Sequence, residues 1–137
     1  MTEKKQTKMQ QALEREQVKG RLLQEMTRHI GKSRVIGMGE LFQRVFQQPW
    51  EHRINDTRQL RKLITDLRTG DNPTPICSSC CHFGPGYYLA QTGPELQAYI
   101  DKIEKQALRK LMQAARLRKL TLPQLLGQLV LSLSGKN

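Results

Sequence analysis

Apolar residues recur every three or four positions over most of this chain, and the faces between them are rich in lysine and arginine. The clearest stretch is residues 55–70, where Leu60, Leu63, Ile64 and Leu67 form a stripe at i, i+3, i+4 and i+7, one face of a helix. Asn55 or Asp56 supplies a side-chain cap for the first turn, and Gly70 the left-handed conformation that ends many helices. Arg58, Arg61, Lys62, Thr65 and Arg68 fall on the opposite face. Upstream, residues 1–16 are polar and read as a frayed or solvent-exposed helix, its basic segment either a DNA arm or a plainly solvated surface. Val18, Leu22, Leu23, Met26 and Ile30 then make a helical stripe ended by Gly31. Residues 32–34 read as a turn and residues 35–37 as a very short strand. Residues 40–46 read as a second helix with Leu41, Phe42, Val45 and Phe46 inward, stopped by Pro49.

Downstream of Gly70 the period changes. Prolines 73 and 75 mark a turn, residues 76–79 read as a strand, and residues 87–90 as its return after Gly84, Pro85 and Gly86. Alternation puts one of Tyr87 and Tyr88 inward and the other outward. Pro94 opens a long helix over residues 94–120. Its positions 96, 100, 103, 107, 111 and 114 approximate a heptad seam, with Ala107 and Ala114 permitting close helix approach. After Thr121 and Pro123, residues 122–133 carry Leu122, Leu125, Leu126, Leu129, Val130, Leu131 and Leu133, too apolar a segment to be left in water.

Charge narrows the partner. The 137 residues hold 23 Lys+Arg against 12 Asp+Glu, a formal net charge of +11, so a polyanion is the expected ligand. The cations are spread along the chain rather than confined to a tail. Aromatics are scarce and no apolar run is long enough to cross a bilayer, which argues against a membrane partner. No apolar segment follows the polar start as in a secretory signal, so a cytoplasmic protein with reduced cysteines is expected. A helix with a leucine-rich inner face and an outer face of cations and threonine suits the DNA major groove, where arginine and lysine donate to guanine or phosphate.

The stretch RQLRKLITDLRTG at 58–70, followed by PICSS at 75–79, GYYLA at 86–90 and PELQAYI at 94–100, resembles the small winged-helix proteins of phages and prophages. More distantly, it is similar to the DNA-binding domain of biotin-repressor-type regulators. The resemblance covers about residues 18–110. It implies a winged helix with duplex DNA as ligand, and leaves the biological role open. The chain departs from the pattern twice. Residues 47–52 lengthen the turn between the two helices, and residues 80–85 lengthen the wing.

That second insertion holds soft ligands. Cys77, Cys80, Cys81 and His82 lie within six residues, but zinc needs four tetrahedral ligands, and only His29 and His52 remain to complete a site elsewhere. Thiols without metal are therefore expected, with those four residues the only metal candidates. Gly-rich phosphate loops, zincin motifs and serine elbows are absent from the sequence, and no enzyme or cofactor is expected.

The sequence thus predicts a mainly α fold with a small β wing: a winged helix-turn-helix followed by a long C-terminal helix and a short apolar helix. The expected divisions are a polar extension (1–16), a winged-helix domain (17–93), the long helix (94–120) and an apolar interaction segment (121–137). Double-stranded DNA is expected to meet Thr57, Arg58, Arg61, Lys62, Thr65, Arg68 and, from the wing, His82. A homodimer is expected through Ala107, Leu111, Ala114, Leu122, Leu125, Leu126 and Leu129, with the C-terminal segment open to another protein. The favoured role is a phage- or prophage-type transcriptional regulator. A replication-associated origin binder and a protein–protein adaptor of the same fold are the alternatives.

Overall fold

The computed structural model describes residues 2–79 and 85–135. Among them lie α1 (Thr2–Met26), a 3-10 turn (Lys32–Arg34), α2 (Met38–Phe46), α3 (Arg53–Thr69), β1 (Ile76–Ser79), β2 (Gly86–Leu89), α4 (Pro94–Leu117) and α5 (Leu122–Ser134). The protein is mainly helical with one small antiparallel sheet, as the periodicities predict. It divides into two compact units, Met1–Leu96 and Gln97–Asn137. The expected break between residues 16 and 17 instead falls inside α1, which is one continuous helix. Residues 2–19 contain neither glycine nor proline and are rich in good helix formers, so nothing local interrupts it.

The core of the first unit takes Leu22 and Met26 from α1, Leu41, Phe42 and Val45 from α2, and Leu60, Leu63 and Ile64 from α3. Ile36, Ile76 and Tyr87 close it. α1 stops at Met26 rather than at Gly31. Ile30 leaves the helix for a parallel bridge to Leu89, and its side chain is 42% exposed. The competing partner is the sheet edge: Leu89 N–H donates to the His29 carbonyl at 2.7 Å, and Gly31 N–H to the Leu89 carbonyl at 2.8 Å.

α2 ends before Pro49, at Gln47, whose φ of 55° and ψ of 36° are left-handed. The long connection that follows is anchored by Trp50. A Cβ built on Gly39 would lie 2.4 Å from Trp50 Cε3, so only glycine admits the indole there. α3 starts at Arg53, earlier than expected. Asp56 is not its cap but reaches back one turn, accepting the His52 N–H at 3.1 Å. Gly70 is extended, with φ −73° and ψ 177°, and not left-handed. Of the last carbonyls of α3, that of Leu67 accepts from Thr74 N–H at 2.8 Å, and one turn back Thr65 accepts also from Thr69 Oγ1 at 2.7 Å. With those partners present no left-handed residue is needed.

In the sheet, Ile76 pairs with Leu89 and Ser79 with Gly86. Ile36 and Tyr87 exchange two backbone hydrogen bonds of 2.9 Å, so the segment before α2 adds a one-residue third edge beside β2. A Cβ on Gly86 would meet the Ile36 carbonyl oxygen at 2.2 Å, which explains a glycine at that strand position. Tyr87 and Tyr88 are both buried, each 7% exposed, against the expectation that one faces outward. The alternation holds but the second face is covered as well. Burial, then the neighbouring Cys77, then the charge of Glu95 push the Tyr88 hydroxyl up to about 12.

In the second unit the chain turns a capped corner. Leu120 N–H donates to the Ala115 carbonyl at 2.8 Å and Lys119 N–H to Arg116 at 3.1 Å, with Lys119 left-handed at φ 56°. This pair of bonds is a Schellman stop. A start follows at once. Thr121 and Gln124 form a reciprocal capping box, and Pro123 sits in the first turn of α5. Ala115 and Leu125 are buried near the corner. Leu125, expected at an interface between copies, is therefore already covered within its own chain. Leu111, Ala114 and Leu122 are half-buried, and Ala107, Leu126 and Leu129 are exposed.

Candidate nucleic-acid interface

The core fixes how α3 is turned. With Leu60, Leu63 and Ile64 buried, Arg58, Arg61, Lys62 and Thr65 are all exposed, and no acidic residue lies between positions 57 and 65. Thr57 is half-buried at the edge of this face. The one carboxylate that borders it further along, Asp66, forms an ion pair with Arg15 of α1, which cancels its charge locally. The result is a helix surface of three cations and one hydroxyl, all able to donate and none held by a side-chain acceptor among the described residues.

Arg68 is placed differently from its expected role. Its Nε donates to the Ile76 carbonyl at 2.7 Å, its Nη2 donates to Ser78 Oγ at 3.0 Å, and its guanidinium lies 5.8 Å from the Tyr87 ring centroid. Arg68 thus ties β1 to the end of α3. The sequence hid this because a cation on a helix face looks alike whether a strand passes beside it or not. His82, Cys80 and Cys81 lie outside the described residues. Cys77 is buried on β1, with its sulfur 3.8 Å from the Pro75 carbonyl.

A second charged group holds α1 and α2 together. Glu25, 9% exposed, accepts from Arg44 at 2.6 Å and from His29 Nε2 at 3.0 Å, with Arg28 at 3.7 Å. Arg44 also donates to Glu40 at 2.6 Å, and His29 Nδ1 lies 3.0 Å from the Arg34 carbonyl. Burial alone would raise the Glu25 carboxyl, but the hydrogen bonds from Arg44 and His29 and the charges of Arg44 and Arg28 outweigh it. Its pKa falls below the ordinary 4.5. The same pairing raises that of Arg44. Trp50 adds a further fixture, with Arg53 at the start of α3 stacked 5.2 Å from its ring centroid.

Beside α3 lies an open cleft of about 460 Å³, whose lining includes Arg15, Val18 and Arg21 of α1, Phe46 of α2, and Gln59, Lys62 and Leu63 of α3. Arg21 Nε is buried without a hydrogen-bond partner among the described residues. Sequence reading missed Arg15 and Arg21. Their signal was the register of α1: its inward stripe, continued toward the N-terminus, meets Arg15. No family model, curated protein or solved structure matches this chain.

Proposed function

We propose that this protein binds double-stranded DNA as a winged helix, with α3 as the recognition helix in the major groove. The observation that carries the reading is the outward set Arg58, Arg61, Lys62 and Thr65, exposed and free of acids on a helix whose other face is locked into the core. The element order supports it too: helix, a strand-like residue at Ile36, two helices, then a hairpin whose second strand pairs with Ile36. That is the order of a winged helix-turn-helix. In this reading Arg61 and Arg58 donate to guanine edges or phosphates, Lys62 to the flanking strand and Thr65 to either, while Arg68 holds the wing in place. Two copies associate through the exposed apolar positions of α4 and α5. The role that fits best is a phage- or prophage-type transcriptional regulator.

The test is a titration of labelled duplexes at several salt concentrations, first with the preferred site found by selection from random sequence. Arg61→Ala is expected to lower affinity for that site by about 1–3 kcal/mol and affinity for scrambled duplex by less. Leu63→Ala, by contrast, is expected to cost about 2–5 kcal/mol of stability. Wild-type binding by Arg58→Ala and Arg61→Ala proteins would take α3 out of the groove and favour an adaptor role.

A further inference from the structure

We infer that the N-terminal half of α1 is a second DNA contact, gripping the phosphate backbone beside the groove that α3 occupies. The inference rests on the duplex-DNA reading of α3. α1 has 25 residues, but residues 3–17 are all exposed, and burial begins only at Val18. The first four turns therefore bury nothing in this chain, and a helix of that length gains little from propensity alone.

Register decides what those turns present. The face that carries Val18, Leu22 and Met26 into the core continues toward the N-terminus, at three- and four-residue steps, as Arg15, Gln11, Lys8 and Lys4. The row holds Lys4, Lys8 and Arg15, and with Arg15 paired to Asp66 its free cations are the two lysines. Glu14, four residues before Val18, borders the row and lines the same cleft, while Glu3 and Glu16 lie elsewhere around the helix. Its inner end is tied to α3 by the Arg15–Asp66 ion pair, and Gln11 lines the cleft together with Gln59 and Lys62 of α3. Lys62 is thus shared between the groove-facing set and the cleft. In the cleft, one turn below Val18 and beside this row, Arg21 keeps an Nε donor unpartnered among the described residues. The positive end of the helix dipole lies at the outer end, which favours the same sign of ligand.

Geometry suits a duplex. From position 4 to position 15 the helix rises roughly 16 Å, about the axial length of five base pairs at ~3.4 Å each. A solvated peptide would need no regular row, whereas a phosphodiester strand offers negative charge at intervals along the whole span. Protein contact beyond the α3 footprint would add phosphate contacts without adding base readout.

The experiment compares the full-length protein with a Lys4→Gln, Lys8→Gln double variant and with Arg61→Ala, each titrated against a random 30-base-pair duplex over a range of salt. Both lysines are exposed, and glutamine is nearly as good a helix former, so the unfolding midpoint of the double variant is expected to match wild type. The expected result is a salt slope shallower by about two units, together with a loss of affinity at low salt of about tenfold or more. Preference between selected and scrambled sites is expected to stay at the wild-type ratio. A double variant that binds with wild-type slope, while Arg61→Ala is weakened, removes α1 from the interface and leaves the α3 reading intact. A double variant that is weakened while Arg61→Ala is not keeps α1 as a DNA contact and overturns the α3 reading. Wild-type protein that binds no duplex overturns both. Anionic vesicles added in parallel separate a lipid surface from DNA: binding to vesicles alone counts against the inference.

Discussion

The Nε of Arg68 near the end of α3 donates to the carbonyl of Ile76 at the start of β1, across 2.7 Å. One guanidinium thereby couples the helix proposed to read DNA to the hairpin beside it. A second bond, from Nη2 to Ser78 Oγ at 3.0 Å, uses the same edge of the fork, and the Tyr87 ring sits on its face. Arg68→Ala is expected to destabilise the first unit by about 1–3 kcal/mol, since a charged donor is lost and the Ile76 carbonyl left short of a partner. Arg68→Lys is expected to restore little of it, because an ammonium cannot span two acceptors in the fork geometry. Denaturant midpoints check both. An unchanged midpoint with weakened binding to every duplex would return Arg68 to the role of a phosphate ligand.

Glu25 gives the fold a defined acid sensitivity. Its folded pKa lies below the ordinary 4.5, so in the acid range the unfolded chain binds more protons than the folded one. The contribution is therefore fully present above pH 4.5 or so and declines as pH falls through the folded value. Wild-type stability is expected to drop over that window, and Glu25→Gln to show a flatter dependence there. At neutral pH Glu25→Gln is expected to be less stable by about 1–3 kcal/mol, the loss of charged hydrogen bonds. Thermal unfolding at pH 3.5, 4.5 and 7 measures the slope; parallel curves for the two proteins would contradict it.

Association is expected to depend on the second unit. Leu126 and Leu129 remain exposed at 41% and 38%, and Ile100 and Ile103 of α4 at 38% and 48%. On α4 the seam through positions 100, 103, 107, 111 and 114 is uncharged and bordered by Glu104 and Lys110, while Lys102, Lys105, Arg109 and Arg116 lie off it, so most cations of α4 stay clear of a contact between copies. Light scattering of the full chain is expected to give a dimer at micromolar concentration, and Leu126→Gln with Leu129→Gln a monomer. Because Leu125 and the Thr121 capping box stay intact in that variant, helix content is expected to change little. A wild-type monomer would mean that the uncovered leucines serve a different protein.

Local pattern was enough to define the helices, because a stripe at three- and four-residue steps has no other way to bury itself. It placed Leu60, Leu63 and Ile64 inward, and with them Arg58, Arg61, Lys62 and Thr65 outward. It also found the hairpin, from turn residues between two short β-rich runs. Element ends were less legible, and for one reason: a backbone group near a helix terminus takes whichever partner the fold brings. Gly70 was available for a left-handed cap, yet Thr74 supplied the bond and Gly70 stayed extended. Gln47 and Lys119 took left-handed conformations that their side chains do not advertise. The tertiary structure alone decided the fate of single polar groups. Arg68 left the presumed DNA face for the Ile76 carbonyl, Arg15 joined Asp66 across 51 positions of sequence, and Glu25 became the buried acceptor of a cation cluster. Composition and periodicity fix which face of a helix carries charge. Which of those charges stays free for a ligand depends on what the rest of the chain lays beside it.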